Sequence, residues 1–244
     1  MVKFIVLCTK LILAAIVALL FASCGNTIFN GIKGDGNVQT EKRSITEKFT
    51  KISVSRGIQV IVEQSNFIFV EVEADQNLLS HITTKVENGI LLISSDKNIY
   101  SADSEIVHVK LPVLEGLESS SGSNIKGKGA LKGSAINVKS SSGSEIEVVV
   151  EYDTIETEST SSSTINLSGK SLKLTSESSS GSTIDASGLL ANEVIAQATS
   201  GSSTDVHPLI NLNGKASSGA SINYDSNPKT ISKEETSGGS VSGN

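Results

Sequence analysis

Apolar and polar residues alternate along much of this chain, and from Ser119 onward the alternation stays in phase with a recurring serine-rich cluster. The cluster first reads Ser-Ser-Ser-Gly-Ser-Asn-Ile and returns six more times, at intervals of 21, 19, 19, 20, 18 and 19 residues. Its landmark positions are Gly122, Gly143, Ser162, Gly181, Gly201, Gly219 and Gly238. A repeat of this length predicts a stacked architecture, in which each unit buries its apolar side only against its neighbours.

The apolar residues keep fixed distances from each landmark. The position three residues after the landmark holds, in the seven units, Ile125, Ile146, Ile165, Ile184, Thr204, Ile222 and Val241. The position seven residues before the landmark holds Glu115 in the first unit, which is the exception, and then Ile136, Ile155, Leu174, Val194, Leu212 and Ile231. Period-two alternation favours strands over helices. The pattern therefore predicts an all-β solenoid of 19–20-residue coils, with short strands and inward rows of isoleucine, leucine and valine.

A flexible serine-glycine linker is the alternative interpretation of this composition. In-phase isoleucine favours the solenoid, because a linker has no reason to keep apolar residues in register. Seven coils spaced at about 4.8 Å predict a rod of roughly 30 Å. Glycine suits the corners, where a positive φ costs it little. Serines three residues before the landmarks predict small side chains whose hydroxyl groups bond local backbone.

Residues 37–118 alternate with less regular spacing, and we expect them to form irregular opening coils and a cap on the same core. Ile58, Val60 and Val62 form one predicted inward face, and Phe67 to Glu73 is a second strand-like run. Asn88-Gly89 between apolar segments predicts a two-residue hairpin. Asn77 to Ile82 is long enough for one helical turn. Residues 119–228 then complete a single domain over 37–228.

The first 23 residues are typical of a lipoprotein signal peptide. An apolar run from Leu11 to Phe21 is too short to span a bilayer, and it leads to Phe21-Ala22-Ser23-Cys24. This segment resembles a bacterial lipobox, although phenylalanine stands where leucine is usual. We expect cleavage before Cys24 and lipidation of its sulfur, with residues 24–36 as a tether. An ordinary signal peptide with an incidental cysteine is the alternative.

Charge and cysteine content narrow the function. The full chain has a formal net charge of −6, and loss of the signal leaves 18 basic and 26 acidic residues, a charge of −8. An acidic protein of this kind is a poor partner for nucleic acid. Cys8 and Cys24 are the two cysteines, so the mature domain lacks the residues for thiol catalysis or a disulfide.

No combination of residues predicts a catalytic or metal site. The histidines His81, His108 and His207 lie in unrelated segments, and no Gly-x-Ser-x-Gly is present. An acidic run is interpreted as a solvated face rather than a calcium site; it comprises Glu145, Glu147, Glu151, Asp153, Glu156 and Glu158. A second polar set is predicted to stack as a ladder at one corner; it comprises Asn166, Asp185, Asp205 and Asn223. No cofactor is expected.

The N-terminal half resembles the head GIN domain family, whose members are labelled auto-transporter adhesins. The matching motifs are Gly36-Asn37-Val38, Arg43, Phe49, Ile52-Ser53-Val54, Gly57-Ile58-Gln59-Val60, Val72-Glu73-Ala74-Asp75-Gln76-Asn77-Leu78-Leu79, Val86-Glu87-Asn88-Gly89 and Leu92-Ile93. The resemblance covers roughly residues 37–224. It implies a right-handed parallel β-helix-like fold in exported proteins of Gram-negative bacteria, and it implies no catalytic residues.

Together these features predict a non-enzymatic, lipid-anchored protein of the outer membrane, on its periplasmic face or at the cell surface. The solenoid surface is expected to serve adhesion or scaffolding, with the membrane, another protein or a glycan as partners. A carbohydrate-active β-helix that binds or cleaves polysaccharide is the alternative. Asp153-Thr154-Ile155 also resembles a short O-glycosylation motif, which makes Thr154 a candidate modification site. The sequence does not fix an oligomeric state.

Residues 229–244 keep the repeat phase through Ile231 and Val241. Lys233 and Glu235 stand there at positions that earlier coils give to small or apolar residues. We therefore expect a frayed last coil, with an open end that can dock another chain.

Overall fold

A computed structural model of the chain describes Lys10 and residues 31–243, and the latter form eighteen strands without a helix. The strands are β1 Ile32–Lys33, β2 Val38–Lys42, β3 Lys51–Val54, β4 Gln59–Gln64, β5 Phe69–Asp75, β6 Ile82–Glu87, β7 Ile90–Ser95, β8 Ile99–Ser101, β9 Glu105–Leu111, β10 Gly116–Ser119, β11 Asn124–Ser140, β12 Glu145–Ser159, β13 Thr164–Ser178, β14 Thr183–Ala198, β15 Ser203–Ala216, β16 Ser221–Tyr224, β17 Thr230–Glu235 and β18 Ser240–Gly243.

Strands β11 to β15 stack in parallel and form the regular column. Ile125, Ile146, Ile165 and Ile184 lie directly over one another, and Thr204, Ile222 and Val241 continue the row. All seven side chains are buried. The second predicted row, from Ile136 to Ile231, is also in register. The predicted inward rows are therefore confirmed, except at Ile231, which ends the second row and is 40% exposed.

Each regular coil is one long bent strand of 14 to 17 residues, rather than the short strands that the sequence predicts. Register shifts between neighbouring strands absorb the differences in coil length. One shift follows Lys126, where Gly127, Lys128 and Gly129 separate two aligned segments of β11. Bulges placed in this way keep both apolar rows aligned although the repeat spacing varies.

The N-terminal half continues the same column, as predicted. On one face β4 and β9 stack in parallel below β11, and β5 and β2 then add antiparallel strands. On the other face the order is β10, β3, β7 and then antiparallel β6. Eleven strands stack on the first face, so the column is about 48 Å high. The seven repeat coils account for roughly 30 Å of this height, as predicted, and the opening half adds the rest.

Two consecutive residues at each regular corner have left-handed backbone. Serines precede the landmark at Ser121, Ser142, Ser161, Ser180, Ser200, Ser218 and Ser237, with φ between 48° and 55°. The landmark glycines have φ between 67° and 77°, as predicted, and Ser162 adopts 59° in their place. Each landmark N–H from Gly122 to Gly219 donates to the serine carbonyl of the next corner, for example from Gly143 to Ser161 at 3.1 Å. The corners thus form their own hydrogen-bonded ladder.

A buried serine follows the landmark in four consecutive coils and joins neighbouring corners. The donating hydroxyls belong to Ser144, Ser163, Ser182 and Ser202, and their distances to a carbonyl one coil below are 2.7, 2.7, 2.6 and 3.0 Å. Each oxygen also accepts a backbone N–H of its own corner. The serine clusters therefore have a structural role, which agrees with the hydroxyl bonding that the sequence predicts.

Replacing Ser163 with alanine is expected to cost about 1–2 kcal/mol of unfolding free energy, because the Thr160 N–H and the Ser140 carbonyl each lose a buried partner. Urea unfolding of the full chain measures the change. Ser161→Ala is the matched control, since that side chain is exposed at the same corner. Its effect should stay within about 0.5 kcal/mol. Equal losses in both variants would contradict the structural role of the buried hydroxyl.

Local predictions in the N-terminal half have mixed outcomes. Asn88 and Gly89 make the predicted hairpin turn between β6 and β7, with φ of 52° and 78°. Residues 76–81 form turns rather than a helix, although the Ile82 N–H bonds the Leu78 carbonyl as in a helical turn. The strand predicted from Phe67 begins at Phe69 instead. Ile68, which alternates with the buried Val70, lies before this strand and is 36% exposed.

The last coil is present as β17, paired with β15, and β18, paired with β16. Its side chains are mostly exposed. Fraying of this coil in solution stays a prediction. The predicted signal peptide, residues 1–23, and Cys24 lie outside the described residues, apart from Lys10. Over the described part of the chain, no helix has the length and apolar character needed to cross a membrane.

Candidate interaction surface

The acidic run of β12 lies outward, where it pairs with lysines of neighbouring coils. Glu151 receives Lys132 at 3.1 Å and Lys170 at 3.3 Å, and these two hydrogen bonds hold its pKa below the usual range. Glu158 receives Lys139 at 2.8 Å, and Glu147 lies 3.7 Å from Lys126. Exposed pairs of this kind add little stability individually. The run is a solvated, ion-paired face, as predicted.

The predicted polar ladder is also in register. Asn166, Asp185, Asp205 and Asn223 align across successive coils. Asn223 donates to Asp205 at 2.9 Å, whereas Asp185 accepts the backbone N–H and hydroxyl of Ser187 within its own coil. Asn166 donates to Glu145 at 3.2 Å, so the partners of the row are its own members, Glu145 and Ser187.

The histidines each face a different carboxylate and do not meet. His81 lies 2.8 Å from Asp96, and His207 lies 2.7 Å from Asp225. His108 is 3.4 Å from Glu73 on the outer face of β9. Among residues 31–243, no group of three or more histidine, cysteine, aspartate or glutamate side chains is arranged to hold a metal ion.

Two carboxyl groups meet in the N-terminal cap, and sequence reasoning missed both. Asp75 is 1% exposed and accepts the backbone N–H groups of Gly36, Asp103 and Ser104 at 3.0 to 3.2 Å. Burial opposes its ionisation, but these bonds outweigh it and hold the pKa of Asp75 below its usual range. Burial, and then the Asp75 charge, raise the pKa of Glu105 to about 7.

Asp75 serves the fold rather than a substrate. The bonds to Asp75 tie the entering chain at Gly36 to the loop before β9. Gly34 lies so close that an added Cβ would meet the Asp75 carboxylate. With three backbone donors and almost no exposure, Asp75 has no surface to offer a reacting group.

An exposed aromatic and basic surface lies on the outer side of β4, β5 and β9. We call it the aromatic–lysine patch, and it comprises Lys42, Ile61, Glu63, Phe67, Phe69, Glu71, His108, Lys110 and Lys128. Phe67 is 57% exposed, and the Lys42 ammonium lies 5.6 Å from the centre of the Phe69 ring. Aromatic rings beside exposed cations are common at binding surfaces.

Glu63 organises the basic side of the patch. Its carboxylate lies 3.1 Å from Lys110 and 3.4 Å from Lys128, which joins β9, β4 and the bulge of β11. The hydrogen bond from Lys110 is the main reason that the pKa of Glu63 lies below its usual range. The two ammonium groups are thereby fixed beside the phenylalanine rings, and each retains further donors for a ligand.

This patch was not predicted from the sequence. The signal was present in the sequence, because Phe67-Ile68-Phe69 breaks the strict alternation of the run that follows. The aromatic residues beyond Lys110 are Tyr152 and Tyr224. Tyr152 is buried, and its hydroxyl donates to the Leu114 carbonyl at 2.8 Å.

The remaining predicted site residue, Thr154, is half-buried in β12 between Ala135 and Lys173 of the neighbouring coils. Its O-glycosylation stays a prediction, as does lipidation of Cys24.

Comparison with known proteins identifies the family. The family model described as "Putative auto-transporter adhesin, head GIN domain" matches residues 48–228. The chain belongs to this family. No curated protein sequence is similar enough to give a match.

Solved structures share the head GIN column. A "putative adhesin" from Bacteroides fragilis is 17% identical, with a TM-score of 0.82 over 88% of this chain and 100% of that one. A "putative lipid binding protein" from Parabacteroides distasonis is 18% identical, with a TM-score of 0.73 over 87% and 99%. A "putative adhesin" from Parabacteroides merdae is 21% identical, with a TM-score of 0.68 over 88% and 99%. At these identities the likeness establishes the fold alone.

Proposed function

We propose that this head GIN protein is a non-enzymatic, lipid-anchored component of the outer membrane that presents the aromatic–lysine patch for adhesion or envelope scaffolding. The observation that carries the proposal is that the exposed Phe67 and the half-buried Phe69 lie beside the ion-paired lysines of the patch. The family description as an adhesin supports an exported envelope protein of this type.

Anchoring at Cys24 gives the patch a defined position. Ile32 of β1 follows Cys24 by eight residues, which span at most about 28 Å when extended. The N-terminal cap, and with it the patch, would therefore lie near the membrane, while the coils of β11 to β18 extend the column beyond it. Lipid on the sulfur supplies the anchor, since several acyl chains at about 0.8 kcal/mol per buried CH₂ bind a bilayer firmly.

A polysaccharide ligand is the second candidate, and the paired phenylalanines favour it. Flat apolar rings can pack against sugar faces, while lysine and glutamate groups at the rim can bond hydroxyls. In this alternative the protein binds glycan without cleaving it, because the buried Asp75 and the ion-paired Glu63 are both committed to protein partners.

One set of full-length variants tests the proposal in cells. Cys24→Ser should move the protein from the membrane to the soluble fraction, and protease treatment of intact cells should reveal which membrane face carries it. Phe67→Ser should lower binding to immobilised polysaccharides or envelope proteins about tenfold, as loss of a central aromatic contact does. Leu172→Ser is the matched control, because Leu172 is 56% exposed on a distant coil.

Equal losses of binding for Phe67→Ser and Leu172→Ser would remove the patch from the proposal. Membrane retention of Cys24→Ser would contradict the lipid anchor. Release of new reducing ends from any polysaccharide by the purified protein would show an enzyme.

A further inference from the structure

The last coil carries charged residues where the preceding coil has small ones. Lys233 and Glu235 of β17 align with Gly214 and Ala216 of β15. In the earlier coils the position of Glu235 is held by buried serine or alanine. A charge at such a position has to find a partner or remain in water.

Both side chains reach across the end of the column to the same residue of β18. Glu235 Oε1 accepts the backbone N–H of Val241 at 2.6 Å. Lys233 Nζ donates to the Val241 carbonyl at 2.8 Å, and it lies 5.0 Å from the centre of the Tyr224 ring. We call this pair of contacts the edge clamp.

The clamped groups are those that face away from the column. The Ser240 N–H donates to the Ala220 carbonyl, so the backbone of Ser240 points towards β16. Successive residues of a strand direct their backbone groups to opposite sides. The backbone N–H and C=O of Val241 therefore point away from the column. On that side of β18, no strand among residues 31–243 pairs with it.

We propose that the end of the column is a self-association surface that fits a second copy of this chain, and that the edge clamp blocks this association. The end of the column presents two strand edges, β17 on one face and β18 on the other. A single extended peptide covers one such edge. The same end of a second copy presents two edges with the same separation. A two-fold axis between the copies can therefore place each of the two edge strands beside an antiparallel strand of the other copy.

The clamp disfavours this pairing in two ways. It satisfies the N–H and C=O of Val241, so an incoming strand must first displace two hydrogen bonds. It also places an ammonium and a carboxylate at the contact, where a second copy would bury them without their present partners. Natural sheet edges are protected by charged residues for the same reason.

The test measures self-association of the full-length wild type and its variants by sedimentation equilibrium in density-matched detergent. The double variant Lys233→Ala, Glu235→Ala should associate to dimers at least about tenfold more tightly than the wild type, the factor that one or two released hydrogen bonds can supply. The matched control Lys229→Ala, Glu234→Ala removes the same charges from exposed positions outside the clamp and should behave as wild type. Glu235→Gln keeps an acceptor for Val241 and should also remain monomeric.

Hydrogen exchange shows whether the variant coil is formed. The Val241 amide should be protected in the wild type and, through the partner strand, in the dimeric double variant. A double variant that stays monomeric overturns the proposal, whether its last coil is intact or frayed. Association of the wild type to the same extent, or cleavage of the wild-type monomer after Thr230, overturns it equally. These outcomes do not depend on the patch or on Cys24.

Discussion

Replacing Gly169 with alanine is expected to lower the free energy of unfolding by about 3–5 kcal/mol, the sum of backbone strain and overpacking. Gly169 lies in β13 with φ of 115°, a conformation that side chains strongly disfavour. An added Cβ would stand 2.1 Å from the Val150 carbonyl oxygen of the coil below. Because that oxygen belongs to backbone, relief requires the two coils to move apart.

Gly201→Ala separates the two contributions. Gly201 also has a positive φ, of 68°, but nothing lies within 4 Å of its added Cβ. Its substitution should therefore cost only the strain, about 1–2 kcal/mol. Urea unfolding of both full-length variants measures the difference. If Gly169→Ala is no worse than Gly201→Ala, the close approach of β13 to β12 is not as described.

Replacing Glu105 with glutamine is expected to stabilise the protein by about 3 kcal/mol at pH 8 and to leave its stability almost unchanged at pH 4. The pKa of Glu105 rises from its ordinary value of 4.5 to about 7 in the folded protein, mainly through burial. Each pKa unit corresponds to about 1.4 kcal/mol. Glutamine keeps the side chain neutral and avoids this cost.

The direction of the pH dependence follows from proton binding. Between pH 4.5 and 7 the folded protein keeps the Glu105 proton that the unfolded chain has released. The stabilising contribution is therefore complete below pH 4.5 and is lost as the pH rises through 7. Thermal or urea unfolding from pH 4 to pH 8 should show that the two proteins diverge over this interval. Glu118→Gln, at an exposed position of β10, is the control. A difference that is constant across pH would contradict the prediction.

The regular column could be predicted from the sequence because one pattern reports on two levels at once. Alternation at Ile146 and Ile165 indicates strands, and their in-phase recurrence indicates stacking. The conformation of the corners could be predicted only in part. Glycine suggests a positive φ, but nothing in the residue type shows that the preceding Ser142 or Ser161 also adopts it. That conformation is held by the stacked hydrogen bonds of adjacent corners, which are tertiary.

The structure of the N-terminal cap was harder to predict from the sequence, for a related reason. The sequence shows strands at β5 and β2 but does not say that β5 runs antiparallel to both β9 and β2. Asp75 looked like part of a family motif, and its role as an acceptor depends on Gly36 and Ser104, which are distant along the chain. The charges at Lys233 and Glu235 were interpreted as a defect of the repeat. Their partner, Val241, is identified only when the coil closes.

The equal stacking of the coils also bears on how such proteins change in evolution. Each strand from β12 to β14 pairs in parallel with the strand above and the strand below, and its buried side chains continue the same rows. Duplication of the 19 codons that separate Glu145 from Thr164 would therefore add one more layer without new chemistry. Each such event would lengthen the protein by about 4.8 Å. The distance between the N-terminal cap and the far end of the column can thus be adjusted in small, equal steps while both ends keep their sequences.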